Sequence, residues 1–103
     1  MKLVTIAITA ASLMFGAQAM ADQALAQKSG CMTCHQIDKK VVGPAFKDVA
    51  AKYKGNKAAE AKLDEKVKKG GSGVWGPVPM PANSPHVSDA DIKALVHWVL
   101  SLK

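Results

Sequence analysis

The stretch "SGCMTCHQIDKK", Ser29–Lys40, holds both cysteines of the chain together with a histidine. Cys31, Cys34 and His35 form the pattern C-x-x-C-H. Three kinds of chemistry use cysteines at this spacing: a redox-active disulfide, one half of a zinc site, and the covalent attachment of haem. The rest of the sequence is needed to choose among these three chemistries.

The beginning of the chain has the pattern of a secretory signal peptide. Lys2 supplies a positive charge, and the apolar run "LVTIAITAASLMF" extends from Leu3 to Phe15. The next residues, "GAQAMA", place small side chains where a signal peptidase needs them. A membrane anchor is the alternative, but a span usually needs about 20 mainly apolar residues, and threonine, serine, glycine and glutamine interrupt this run. We predict cleavage after Ala21, export to the periplasm, and one small domain over residues 22–103 that does not span the membrane.

The charge of the chain restricts its partners. The formal net charge is +6, and all of the Lys and Arg positions are lysines. The absence of arginine argues against reading of base edges and against bidentate phosphate clamps, so we expect no nucleic acid partner. A lysine-rich surface on an exported protein suits an acidic protein partner, and a merely solubilising surface explains it equally well.

One segment before the motif and three after it are predicted to be helical. No segment alternates between apolar and polar residues over a length that predicts a strand. The segments start at capping residues and end at glycines or at the end of the chain. They are "DQALAQK" from Asp22, "GPAFKDVAAKYKG" from Gly43, "NKAAEAKLDEKVKKGG" from Asn56, and the segment from Ser88 onward. In the second, Pro44 stands at a first-turn position. We expect an all-α fold.

A long segment between the last two helices cannot be helical. "GGSGVWGPVPMPANSPH", Gly70–His86, is rich in glycine and proline. A loop of this length in a small domain is normally functional or disordered. Val74, Trp75, Val78 and Met80 are residues that a chain seldom leaves in water. We therefore expect this loop to be ordered and to pack against a large apolar group.

The motif is best explained by haem attachment, because two thiols at this spacing can reach two vinyl groups of one porphyrin edge while the adjacent imidazole reaches the iron. A redox disulfide would open a helix within a βαβ pattern, whereas this motif follows a helix. A zinc site could enlist His86 or His97, but it needs four ligands and generally a tighter second pair. We predict one covalently bound haem c, with Cys31 and Cys34 as thioether links and His35 as the proximal iron ligand.

Met80 is the candidate for the sixth position of the iron. It lies between Pro79 and Pro81, which restrict the backbone on both sides. A methionine is more often a core filler, but this one lies in the loop that we expect to face an apolar object. His86, in the same loop, is interpreted as a solvated histidine. With both axial positions filled by protein, the iron has no open site, and outer-sphere electron transfer is the natural function.

Three stretches, "CMTCHQIDKKVVGPAFKDVAAKY", "GVWGPVPMPAN" and "VHWVLSLK", together resemble the short bacterial class I cytochromes c of the five-five-one type. The resemblance covers nearly all of the mature chain. It implies an all-α class I cytochrome c fold, with about four helices around one covalently attached haem c and with the first and last helices crossing. It also implies the thioether cysteines Cys31 and Cys34 and the axial ligands His35 and Met80.

Four further residues match positions near the haem in this family. Pro44 matches the proline whose carbonyl accepts the hydrogen bond of the proximal imidazole, which fixes the orientation of the ring. Trp75 matches an indole that donates to a haem propionate, and Asn83 matches an amide near the methionine ligand. Lys66 occupies a position where relatives can have an arginine near a propionate.

The resemblance also implies a monomeric carrier that shuttles one electron between respiratory redox proteins. A cytochrome bc complex is the implied kind of donor, and nitrite reductase, a terminal oxidase or cytochrome c peroxidase is the implied kind of acceptor. The alternative is a haem-based peroxidase or gas sensor in which Met80 dissociates, although the chain lacks a clear distal acid/base pair. Lysines near the motif are expected to steer acidic patches of partners toward the haem edge: Lys28, Lys39, Lys40 and Lys47.

Overall fold

The computed structural model describes residues 22–103, which form four α-helices, one 3₁₀ turn and a two-stranded ribbon. The elements are α1 (Gln23–Lys28), a 3₁₀ turn (Cys31–Thr33), α2 (Phe46–Lys52), α3 (Ala59–Lys69), β1 (Gly71–Gly73), β2 (Gly76–Met80) and α4 (Asp89–Ser101). The predicted signal peptide and its cleavage site lie outside the described residues. Of the helices in the described part of the chain, none has the length and apolarity required to cross a membrane.

The first helix places the motif. Asp22 caps α1, because its Oδ1 accepts hydrogen bonds from the backbone N–H groups of Ala24 at 2.9 Å and Leu25 at 3.3 Å. The helix ends at Lys28, and the 3₁₀ turn that carries Cys31 follows almost at once. The motif therefore comes after a helix, as the sequence predicts.

The second helix begins later than predicted. Pro44 does not lie in its first turn, because α2 starts at Phe46. The backbone N–H of Phe46 donates to the Gln36 carbonyl oxygen at 2.9 Å, and that of Lys47 donates to the Ile37 carbonyl oxygen at 2.9 Å. The loop after the motif thus satisfies the free N–H groups at the start of α2 in place of a side-chain cap. This pairing fixes the loop 36–45 against the helix.

The core lies where α1 and α4 pack together. Ser88 caps α4, since its Oγ accepts a hydrogen bond from the Asp91 N–H at 3.2 Å. The buried aliphatic side chains of α4 form one cluster with residues of α1 and of the preceding loop: Ala26, Val87, Ile92, Leu95 and Val96. Burying a side chain of the size of leucine or isoleucine contributes about 1.5–3 kcal/mol. The predicted fold of about four helices is confirmed.

The segment after α3 contains a short antiparallel ribbon, β1 with β2, in which Gly71 pairs with Met80 and Gly73 with Gly76. The prediction that no segment forms a strand was therefore wrong. Alternation of apolar and polar residues marks a strand with one buried face, whereas nearly every position of this ribbon is exposed. The pairing consequently leaves no alternating pattern in the sequence. The ribbon adds to the helical fold without changing its class.

Candidate haem-binding site

An apolar cavity of about 230 Å³ lies between the ribbon and helices α2, α3 and α4. Its lining includes both cysteines, the histidine of the motif and the methionine of β2: Cys31, Cys34, His35 and Met80. Within the described part of the chain, the charged residues of the lining are Lys40 and Lys66, and no acidic side chain takes part. The fold thus brings residues that are far apart in sequence to one apolar surface.

The imidazole of His35 is oriented by a hydrogen bond. Its Nδ1 donates to the backbone carbonyl oxygen of Pro44 at 2.8 Å. A carbonyl oxygen only accepts, so the proton must be on Nδ1, and the lone pair of Nε2 stays free for a metal ion. Pro44 is therefore placed outside α2 in a position where its carbonyl contacts the motif.

Two further contacts hold the His35 ring. Phe46 stacks on it, with ring centroids 4.9 Å apart and an angle of 19° between the planes. Gly43 approaches it so closely that a Cβ there would lie 2.5 Å from Cε1 and 2.8 Å from Nδ1. Only a residue without a side chain fits at position 43 while the ring keeps this place. The sequence did not predict either contact, although Gly43 and Phe46 lie within two residues of Pro44, a signal that could have revealed them.

Both cysteines of the motif, Cys31 and Cys34, line the cavity. Both are half-buried free thiols. Burial raises the pKa of the Cys31 thiol, whereas the attacking cysteine of a redox disulfide needs a lowered pKa. Among residues 22–103, no group of three or more histidine, cysteine or acidic side chains is arranged to hold a metal ion. The arrangement thus favours neither the redox disulfide nor the zinc site.

Met80 ends β2, and its loop is fixed to α3. The backbone N–H of Asn83 donates to the Val67 carbonyl oxygen at 3.0 Å, and its side-chain Nδ2 donates to the same oxygen at 3.2 Å. Nδ2 also lies 3.3 Å from the Pro81 carbonyl oxygen. Asn83 does not line the cavity. Its amide therefore acts on the backbone that carries Met80 and does not reach into the cavity.

The remaining predicted residues lie at different places. Trp75 lines the cavity and is 41% exposed, and Lys66 lines it from α3. His86 does not line the cavity; it lies at a separate small pocket beside Lys28 and Asp91. Lys28 is thus not part of the cavity mouth, in contrast to Lys40.

The chemistry of the cavity fits a covalently bound haem. Several large apolar side chains of its lining are exposed to solvent by 41–60% of their surface in the chain alone: Val42, Val74, Trp75 and Val78. A contiguous apolar surface of this kind marks a binding site. An imidazole nitrogen and a thioether sulfur are the axial donors known from cytochromes c, and the side chains of His35 and Met80, which both line the cavity, contain these two kinds of atom.

Comparisons with known proteins agree with this fit. The cytochrome c family profile matches residues 19–103. Cytochrome c-551 of Allochromatium vinosum is 61% identical over 84 residues, which cover 82% of this chain and 88% of that protein. Cytochrome c-551 of Pseudomonas aeruginosa is 48% identical over 101 residues, 98% of this chain and 95% of that protein.

A solved structure shows the same architecture. The crystal structure of wild-type Nitrosomonas europaea cytochrome c552 is 56% identical in sequence and superposes with a TM-score of 0.76, covering 80% of this chain and all of that chain. The predicted class I cytochrome c fold is confirmed by this similarity. The chain belongs to the cytochrome c family, and it is an electron carrier with one covalently attached haem c.

Proposed function

We propose that the chain is a periplasmic carrier of single electrons between respiratory redox proteins, with His35 and Met80 as the axial ligands of its haem iron. One observation carries the proposal. A histidine whose Nε2 is left free by the Nδ1 hydrogen bond to Pro44 lines the same apolar cavity as a methionine on an anchored strand. The predicted signal peptide, residues 1–21, supports export.

The residues of the cavity have different roles toward the haem. A haem c held in the cavity supplies the redox chemistry, since its iron changes between the ferrous and ferric states. Cys31 and Cys34 would hold the porphyrin edge through thioether bonds, and His35 and Met80 would occupy both axial positions. This arrangement would leave no position on the iron for a substrate. Methionine and histidine ligation is an established cause of the high potential of cytochromes c, and we expect the same direction here.

The optical spectrum of the purified protein tests the ligation. We expect a low-spin reduced haem, a weak sulfur-to-iron band in the oxidised form, and no ready change with carbon monoxide, because both axial positions are taken. A spectrum that is high-spin and shifts readily with carbon monoxide would contradict the proposal. It would support instead a peroxidase or gas sensor in which Met80 leaves the iron.

The surface around the cavity mouth suits an acidic redox partner. Lys39, Lys40 and Lys47 are exposed near the motif and α2, and Val41 and Val42 beside them are about half exposed. An apolar patch with surrounding cations can bury its centre against a partner while the charges steer the encounter. A cytochrome bc complex as donor, and nitrite reductase, a terminal oxidase or cytochrome c peroxidase as acceptor, are the proposed partners.

Electron transfer with such a partner should slow as salt is added. Because exposed charges are screened within about 8 Å at physiological ionic strength, we expect the second-order rate to fall about tenfold or more from low to high salt. Lys40→Gln should weaken this dependence, and Lys62→Gln, a change of the same charge on the exposed face of α3, should leave it nearly as it is. Stopped-flow rates at several salt concentrations measure this. A rate that is independent of salt would refute electrostatic steering.

A further inference from the structure

Lys52 connects α2 with the turn of the ribbon. Its Nζ lies 5.5 Å from the ring centroid of Trp75 and 6.0 Å from that of Tyr53. Both distances fall within the range of about 6 Å over which a cation is attracted to an aromatic face. Trp75 lies in the turn between β1 and β2, so this contact joins the tip of the ribbon to a helix that is distant in sequence.

Trp75 has few other restraints. Its side chain is 41% exposed, and none of the side-chain hydrogen bonds within residues 22–103 involves its indole. Lys52 likewise forms no ion pair with an acidic side chain in this part of the chain. Its ammonium group is therefore not drawn away from the ring by a carboxylate.

The position of Lys52 on α2 gives the contact its importance. The helix begins at Phe46, which stacks on the His35 imidazole, and ends at Lys52. One short helix thus contacts the imidazole of the motif at its start and the indole of the ribbon at its end. The His35 imidazole and the Trp75 indole line the same cavity.

We propose that Lys52 is a positioning residue for the haem site, whose ammonium group holds the Trp75 indole at the mouth of the cavity. The inference rests on the haem site proposed above and on the role that the family resemblance implies for Trp75, donation to a haem propionate. With the ring held by its face, the indole N–H stays available to a carboxylate and does not turn toward solvent. The cation also lies near the cavity, where a positive charge favours the reduced over the oxidised iron.

The test uses the haem-loaded protein and three variants. Lys52→Gln removes the cation, Lys52→Arg keeps a cation that stacks well on aromatic rings, and Lys54→Gln removes a charge from a neighbouring exposed lysine. Two-dimensional NMR resolves the two indole N–H signals of the reduced protein, and Trp98 serves as the internal reference. The reduction potential of each variant is measured as well.

We expect Lys52→Gln to raise the solvent exchange rate of the Trp75 indole N–H about two- to fivefold, with Trp98 unchanged. Lys52→Arg should restore the exchange rate, and Lys54→Gln should leave it unaltered. The potential should fall more in Lys52→Gln than in Lys54→Gln and recover in Lys52→Arg.

The inference is overturned if Lys52→Gln and Lys54→Gln behave alike in both measurements, or if Trp98 exchanges faster to the same extent as Trp75. The first outcome would show that Lys52 acts only through its charge. The second would show that it affects only the general stability of the protein. Exchange at the indole does not depend on Met80 as a ligand. Absence of the sulfur-to-iron band would therefore refute the proposed ligation separately from the role of Lys52.

Discussion

Replacing Met80 with alanine should abolish the weak sulfur-to-iron band of the oxidised protein while the haem stays covalently attached. The band requires a thioether on the iron, and Met80 is the methionine that lines the cavity among the described residues. Cys31, Cys34 and His35 are untouched by the change, so attachment and the proximal ligand persist. The vacated position should bind carbon monoxide readily. Absorption spectra of the oxidised and reduced variant, with and without carbon monoxide, measure both effects.

Met32 provides the matched control for this prediction. It lies on the 3₁₀ turn within the motif and packs, half-buried, against the core cluster of α1 and α4. It does not line the cavity. Met32→Leu preserves its volume closely and should leave the band intact. A band that survives in Met80→Ala, or that disappears in Met32→Leu, would show that Met80 is not the sulfur ligand.

The features that the sequence predicted well are those set by local chemistry. The expectation of one covalently attached haem c rests on Cys31, Cys34 and His35, which lie within five residues, so it does not depend on distant parts of the chain. The start of α1 at Asp22 and of α4 at Ser88 depends on a side chain and on backbone N–H groups only a few residues away. Such contacts can be inferred from the order of the residues alone.

The features that the sequence did not predict depend on partners far along the chain. The start of α2 is moved by hydrogen bonds from Phe46 and Lys47 to the loop after the motif. The Asn83 side-chain amide donates a hydrogen bond to the Val67 carbonyl oxygen on α3, and no local sequence pattern predicts that pairing. The contact between Lys52 and Trp75 is of the same kind. Each of them becomes visible only when the fold brings separate segments together.

Replacing Gly70 with alanine should destabilise the protein and displace the loop that carries Met80. Gly70 ends α3 with φ +71 and ψ −163, a conformation that is essentially restricted to glycine and costs other residues about 1–3 kcal/mol. A Cβ at this position would also collide with the carbonyl oxygen of Met80 and would lie 2.8 Å from the backbone nitrogen of Ala82. Backbone atoms cannot rotate away as a side chain can, so the end of β2 must move. We expect a total loss of about 3 kcal/mol or more in the free energy of unfolding, together with a weaker sulfur-to-iron band.

Gly55→Ala separates the two causes of this effect. Gly55 also has a positive φ, +77, but a Cβ there would meet no atom within 4 Å. This variant should therefore lose only the backbone strain of its positive φ, about 1–2 kcal/mol, and keep the full band. Denaturant unfolding and the oxidised spectrum of both variants measure the difference. A loss in Gly70→Ala that exceeds its backbone strain and comes with a weaker band reports how firmly the end of α3 holds Met80 in place. Equal losses with intact bands would contradict that coupling.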